Sequence, residues 1–275
     1  MKPPFTYYGG KLSVAEQIVA VLPDHRHYVE PFAGSLAVLL AKTPVPMETV
    51  NDLDGRLMTF WRILRDRPDE LIRLCALTPH SRVEQKSAYA TADTDLETAR
   101  RVWVLLTQGR TGTLRPTGWR HYVNPRGSSS SMPDYLDGYV DRLATAARRL
   151  HAVSLESRPA LDVIAAYGAQ PEVLLYCDPP YLGQTRNGRN YLVEMSHEDE
   201  HRELADALRA ARAAVVLSGY DSPLYAELYD GWHRHEIATG TGQGGTWEGR
   251  VEVLWSNRPL NAQAAIDFDA LAGST

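Results

Sequence analysis

The tetrapeptide Asp178-Pro179-Pro180-Tyr181 places two rigid residues between an acid and an aromatic ring. Two prolines freeze the backbone and remove two amide donors, leaving carbonyls free to accept. The Asp178 carboxylate and the Pro179 carbonyl could then both accept from one amino group while Tyr181 stacks on a ring. A stiff double acceptor beside a stacking platform suits the exocyclic amine of a nucleobase. The corner follows the apolar run Val173-Leu174-Leu175-Tyr176-Cys177, which reads as a buried strand. Ligands of an open parallel sheet bind beyond the carboxyl ends of its strands, where this corner would stand. The plain structural alternative is a proline-stiffened turn with a capping Asp, and the strand context favours the ligand site.

A second candidate is Val29-Glu30-Pro31-Phe32-Ala33-Gly34-Ser35, a strand running through Gly34 into a helix. Gly34 would let the backbone approach a ligand closely. The stretch lacks the dinucleotide fingerprint, because Leu36 stands where a second glycine belongs. Asn51-Asp52 ends the next strand about twenty residues on, where an acid commonly holds ribose hydroxyls. Gly34 and Asp52 together point to a nucleoside-bearing cofactor. Tyr7-Tyr8-Gly9-Gly10-Lys11 only superficially suggests a phosphate loop, since the pattern needs a glycine where Phe5 stands. Lys11 reads instead as a partner for a carboxylate or the backbone beside a bound cofactor.

His197-Glu198-Asp199-Glu200-His201 matches the zinc-peptidase pattern HExxH and would support a zinc hydrolase reading. Against it, Ser196 reads as a helix cap with Asp199 at the capping-box position, and the surroundings are polar. No metal is expected. Cys75 and Cys177 have no metal-type spacing and read as small core residues.

The elements that must position these residues follow from periodicity. Leu12 to Leu22, Ser35 to Lys42 and Leu57 to Leu64 have helical spacing, with strands at His27 to Glu30 and Glu48 to Val50. This alternation predicts a parallel, doubly wound sheet. From about Pro68 to Leu106 the chain reads as helical. Thr107 to Pro133 reads as a long loop ending in a mobile Gly127-Ser128-Ser129-Ser130-Ser131 run. Tyr135 to Leu150 is helical again. The alternation resumes with strands at Val153–Leu155, Val173–Cys177 and Ala214–Leu217, and helices near Leu161–Tyr167, Glu198–Arg212 and Pro223–Leu228. His233–Ala238 and Val251–Trp255 flank a glycine-rich turn, Gly240 to Gly249, as an antiparallel hairpin at the sheet edge. The division that results is 1–66 and 151–260 as two parts of one α/β domain, 67–150 as an insert, and 261–275 as a tail.

The 275 residues carry a net charge of −5, so nucleic-acid binding must rest on a local basic patch. One lies between Glu97 and Asp134, a stretch free of acids that holds Arg100, Arg101, Arg110, Arg115, Arg120 and Arg126. Trp103, Trp119 and Tyr122 are interleaved with them. Arg110, Arg115, Arg120 and Arg126 are the candidates for phosphate or guanine contacts. Arg100 and Arg101, beside Trp103 in a helical stretch, read as packing or pairing with nearby acids. No apolar run spans a bilayer and the N-terminus lacks an apolar signal core, so a soluble, cytoplasmic protein without a membrane partner is expected.

In this order the chain resembles the Dam-type (D12 class) adenine-specific DNA methyltransferases. The resemblance rests on Tyr7-Tyr8-Gly9-Gly10-Lys11, Glu30-Pro31-Phe32-Ala33-Gly34, Asn51-Asp52, the insert and Asp178-Pro179-Pro180-Tyr181. Leu217-Ser218-Gly219-Tyr220-Asp221-Ser222 and Glu252-Val253-Leu254-Trp255-Ser256-Asn257 extend it. The chain departs at Leu36, where the family commonly has glycine, and at Tyr7, where Trp is usual.

The resemblance implies a Rossmann-like methyltransferase fold, S-adenosylmethionine as donor and a mainly helical target-recognition insert. It also implies donor contacts from Tyr7, Lys11, Glu30, Phe32, Gly34, Asp52 and Asp178. Asp178, Pro179, Pro180 and Tyr181 would then hold an adenine flipped out of double-stranded DNA, with a monomer as the expected state. The competing reading is a non-catalytic donor- or nucleic-acid-binding relative in which Leu36 spoils the cofactor loop.

Overall fold

The computed structural model describes residues 1–122, 131–181, 195, 197–239 and 250–261. Strands β4 (Val173–Cys177) and β5 (Ala214–Gly219) are buried at every position, as inner strands of a parallel sheet must be. Around them lie β1 (His27–Glu30), β2 (Met47–Asn51), β3 (Ser154–Glu156), β6 (His233–Thr239) and β7 (Arg250–Ser256). The sheet order is β3-β2-β1-β4-β5-β7-β6. The first five run parallel, β7 is antiparallel to β5, and β6 is antiparallel to β7. The hairpin expected at the edge therefore folds back, so that its second strand lies against β5 and its first becomes the edge.

The chain winds outward from β1 to β3 on one side, then returns to β4 and continues through β5 on the other. The order thus reverses between β1 and β4, and the carboxyl ends of those two strands open the crevice where such sheets bind ligands. Glu30 and Asp178 emerge at these two ends.

Helices cover both faces. On one pack α1 (Ala15–Val21), α2 (Ala37–Ala41), α3 (Gly55–Asp66), α4 (Pro68–Leu77), α6 (Asp95–Gln108) and α7 (Met132–Leu150), against Tyr28, Val50, Leu174, Tyr176 and Val216. On the other lie α8 (Ala160–Gly168), α9 (Glu198–Ala210) and α10 (Pro223–Leu228), against Val29, Leu175, Cys177, Val215 and Leu217. Alternation along each strand sends successive side chains into the two cores. The short α5 (Arg82–Ser87) packs on α6. Both cysteines are buried in these cores, as their small apolar character suggested.

Helix starts carry the expected caps. Asp54 accepts from Arg56 N at 3.0 Å, and Ser131 and Asp134 form a reciprocal capping box. The loop between α6 and α7 is tied near its base, where Arg120 N donates to Gln108 O at 2.7 Å and Arg110 N to Gly118 O at 2.9 Å. The run expected to be mobile falls, apart from Ser131, outside the described residues, as does the turn 240–249. Helix α9 starts at Glu198 as anticipated, but its cap is one residue later than the expected Ser196. His197 sits at the cap, with its backbone N–H donating to Glu200 Oε2 at 3.0 Å, while Ser196 lies outside the described residues.

Helix α7 is fixed to the sheet by a buried charge cluster. Glu48, on β2, accepts from Lys42 Nζ at 2.6 Å and from both Arg149 amino groups, and all three residues are nearly excluded from solvent. Removing one partner from such a cluster leaves buried charge uncompensated. Glu48→Ala should cost roughly 3–5 kcal/mol of stability in urea titration, and Glu48→Gln, which also leaves Lys42 and Arg149 without a counter-charge, should cost a similar amount.

Candidate active site

The loop leaving β1 is shaped by hydrogen bonds from the end of β2. Asn51 is fully buried; its side-chain amide donates to Pro31 O at 2.9 Å and Arg158 O at 3.0 Å, and its oxygen accepts from Arg158 N at 2.9 Å. The adjacent Asp52 accepts from Gly34 N at 3.0 Å and Asp54 N at 2.9 Å. Gly34 O accepts from Trp61 Nε1 at 3.1 Å. Gly34, at φ 48°, lies so close to Tyr7 that an added Cβ would stand 3.2 Å from its ring. Sequence spacing singled out Asp52, but the clamping role of Asn51 carried no chemical signature.

Leu36 adopts φ 55°, a left-handed conformation that glycine accommodates more easily. Its side chain is wholly buried in the core beneath the loop and does not line the cavity. The leucine therefore preserves the backbone path of a glycine and sends its bulk away from the ligand side.

Above the crevice lies a cavity of about 330 Å³. Tyr7, Lys11, Glu30, Phe32, Gly34, Asp52, Asp178 and Pro180 all line it, so every residue expected to contact a cofactor is brought together here. Phe32, Leu53, Pro159 and Leu161 supply apolar walls. Among the described lining residues the carboxyls of Glu30, Asp52, Asp54, Asp178, Glu200 and Glu203 face Lys11 as the sole cation. A lining of that charge favours a cationic ligand over a phosphate.

Burial sets the protonation of these acids. It pushes Glu30 up to about 8, with the Asp178 charge adding to the effect and the Tyr28 hydroxyl, donating at 3.0 Å, opposing it. Asp52 is pushed by burial up to about 6 against the two backbone N–H groups it accepts. Asp178 is also raised by burial, with Lys11 pulling it back down and Glu252 adding to the rise.

The Asp-Pro-Pro-Tyr corner is knotted by Lys11. Its ammonium donates to Asp178 Oδ1 at 2.7 Å, to Gly9 O at 3.0 Å and to the Tyr181 hydroxyl. Tyr181 in turn donates to Glu252 Oε1 at 2.9 Å, with Asp178 Oδ1 3.2 Å away. Only 9% of Tyr181 is exposed, and its ring lies 4.6 Å from that of the half-buried Tyr220. Glu252, Ser218 and Tyr220 were quoted only within longer motifs, and no role was read for any of them. They reach the corner because β7 lies against β5, an arrangement that spacing along the chain does not reveal.

The family model for D12 class N6 adenine-specific DNA methyltransferases matches residues 7–109 and 138–241. The chain belongs to that class. It is accordingly an adenine-specific DNA methyltransferase, and membership implies S-adenosylmethionine as the methyl donor. Over 92% of this chain and 95% of the other, it is 29% identical to the type II methyltransferase M1.LlaDCHI of Lactococcus lactis subsp. cremoris. It is 27% identical to the retron Ec67 DNA adenine methylase of Escherichia coli, over 83% and 81% of the two chains. An rRNA methyltransferase structure from Streptomyces viridochromogenes aligns with TM-score 0.39 and 12% identity over 93% of this chain and 87% of that one, a distance that carries no argument.

The methyltransferase spends its HExxH sequence on packing. His201 is buried, with Nδ1 3.1 Å from the Tyr225 hydroxyl and Nε2 3.0 Å from Met195 O, while His197 lies exposed at the start of α9. The zinc-hydrolase reading falls with it, since both ring nitrogens of His201 are occupied.

In the insert, Arg100 pairs with Glu84 and Glu97, and Arg101 with Glu97, as their helical setting suggested. Arg110 is exposed and Arg115 half-buried. Arg120 turns inward, donating to the Tyr135 hydroxyl at 3.1 Å and Thr6 Oγ1 at 3.4 Å. Arg126 lies outside the described residues. Trp103 is core, and Trp119 stacks with His80 at 4.3 Å and His121 at 5.2 Å with Arg82 4.8 Å over its ring, while Tyr122 is 50% exposed.

The Glu30 carboxyl yields a pH prediction. Its folded pKa of about 8 exceeds the ordinary 4.5, so the folded state binds more protons between those values. The stability this contributes is complete below pH 4.5 and is lost as pH rises through 8. Glu30→Gln should remove that slope. Relative to wild type, the variant should gain a few kcal/mol between pH 5 and pH 9, at about 1.4 kcal/mol per pKa unit, in urea titrations at the two pH values.

Proposed function

We propose that the enzyme methylates the N6 amine of an adenine extruded from double-stranded DNA, with Asp178 and the Pro179 carbonyl as acceptors for that amine. The observation that carries this reading is the convergence of the proline corner, Lys11 and the Gly34 loop on one acid-lined cavity at the switch point. The donor, when bound, supplies an electrophilic methyl group on a positively charged sulfur. The residues fit such a donor. The backbone at Gly34 permits close approach, Asp52 can accept from ribose hydroxyls, and Phe32, Leu53 and Leu161 can enclose an adenine ring. Tyr7 and Lys11 close the cavity from the N-terminal side, and the excess of carboxyls suits a cation.

The adenine amine is a weak nucleophile because its lone pair is delocalised into the ring. Accepting both of its hydrogens localises that pair and aims it, which is catalysis by orientation and preorganised charge. Asp178, with its affinity for protons raised by burial, is suited to draw off the proton that the nitrogen loses. The amine is out of reach within a duplex, so the base must leave the stack. Tyr181 and Tyr220 form the aromatic wall beside the corner.

In this reading residues 67–150 are a target-recognition insert between two catalytic parts, 1–66 and 151–260. Exposed Arg110, with Arg115 and Arg126, meets phosphates or bases, and Arg120 fixes the loop that carries them. A site-specific activity paired with an endonuclease is supported by the name of the type II relative. A cytoplasmic setting accords with the DNA substrate, and among the described residues no helix is long and apolar enough to cross a membrane.

Radiolabelled donor, purified protein and duplex DNA test the assignment. Wild type should label adenine, and Asp178→Ala should lower the rate by at least ~100-fold, on the scale of removing one preorganised polar group. Donor binding measured by equilibrium dialysis should weaken far less than the rate, since Tyr7, Phe32, Gly34 and Asp52 still line the cavity. A variant that still labels DNA at the wild-type rate would remove Asp178 from the chemistry.

A further inference from the structure

Glu252 stands on β7, outside the sequence corner that holds the proposed acceptors, and is 4% exposed. Its Oε1 accepts from Ser218 Oγ at 2.6 Å and from the Tyr181 hydroxyl at 2.9 Å, and lies 3.6 Å from Lys11 Nζ. Such a carboxylate is costly to bury and is kept only with good partners. Two of its three partners, Lys11 and Tyr181, also touch Asp178. Among the described residues, both side-chain hydrogen-bonding groups near Asp178, Lys11 Nζ at 2.7 Å and the Tyr181 hydroxyl at 3.2 Å, address Oδ1. Tyr181 has one proton to donate, and the shorter contact takes it to Glu252.

We propose that Glu252 is a positioning residue that holds Lys11 and Tyr181 on the Oδ1 side of Asp178, leaving Oδ2 to accept the adenine amine. This rests on the assignment of Asp178 as amine acceptor. The charge arithmetic gives Glu252 a second effect. Lys11 is shared between two carboxylates, so it neutralises Asp178 less completely than it would alone, and Asp178 stays a better acceptor. Among the described residues, the charged or titratable groups facing Asp178 are Lys11, Tyr181 and Glu252 in the knot, Glu30, Tyr176 and Cys177 along the sheet, and Tyr225 on α10.

Glu252→Gln keeps an acceptor oxygen and the volume while deleting the charge. It should lower kcat by 10-fold or more, with KM for the donor and Kd for duplex DNA each within about threefold of wild type. The acidic limb of the kcat–pH profile should move to lower pH, because Asp178 loses a repelling neighbour and binds its proton less tightly. A purely structural role would lower the amount of folded enzyme and leave the limb in place.

Tyr181→Phe removes the hydroxyl between the two carboxylates and should also lower kcat at unchanged donor KM; the double variant should lose less than the product of the two single effects. Wild-type kcat with an unmoved acidic limb in Glu252→Gln would overturn the proposal. If that variant does not fold, wild-type kcat in Tyr181→Phe would do so. Asp178→Asn separates the two claims. If it is inactive while Glu252→Gln is normal, only the Glu252 role fails; if it is fully active, the acceptor assignment itself fails.

Discussion

The active site depends on one buried ammonium. Lys11 is 5% exposed and uses its three protons on Gly9, Asp178 and Tyr181, with Glu252 close by. It thereby joins an N-terminal loop, the corner after β4 and the strand β7, segments distant in sequence. The buried Glu30 and Glu252 and the partly exposed Asp178 cluster near the ends of strands in a setting that disfavours charge. One cation cannot neutralise all three. The surplus is met in part by Glu30 holding a proton, since burial lifts it to about 8. What remains is a site biased toward positive charge before any ligand enters.

The sheet order explains why that ammonium finds its partners. Only at a reversal of winding do two neighbouring strands send their connections to opposite sides and leave a crevice. Glu30 and Asp178 stand at that reversal. The loops around it are held by backbone hydrogen bonds more than by side-chain bulk, as Gly34, bonded to Asp52 at its nitrogen and Trp61 at its oxygen, illustrates. Leu36 shows the same economy, keeping a left-handed backbone while its side chain fills the core.

Much of this was legible in the sequence, for physical reasons that also mark its limit. β1, β4 and α10 were placed residue for residue because apolar runs bounded by Pro, Asp or Ser leave little freedom at their ends. The cofactor-side residues were legible because glycine, proline and acids at strand ends carry local constraints. Glu252 was not, since its importance arises from β7 lying antiparallel beside β5, a pairing across more than thirty residues. Asn51 was likewise hidden, because an amide that clamps two loops has no motif of its own. The surroundings of Trp119 were hidden too, because its stacking on His80 and His121 joins residues that no motif links.

The insert and the chemistry are mechanically close. Helices α6 and α7 share one core with α3, so residues 67–150 are continuous with the sheet domain. The N-terminal segment runs between them. Thr6 Oγ1 donates to Leu106 O at 2.9 Å, Tyr8 N to Gly112 O at 2.9 Å, and Arg142 reaches Pro3 O at 3.2 Å. Gly112, at φ 62°, permits this approach, for an added Cβ would stand 3.0 Å from Thr6 O. Only Gly9 and Gly10 separate Tyr8 from Lys11. A short run of backbone links therefore joins the loop after α6 to Lys11 without crossing the sheet.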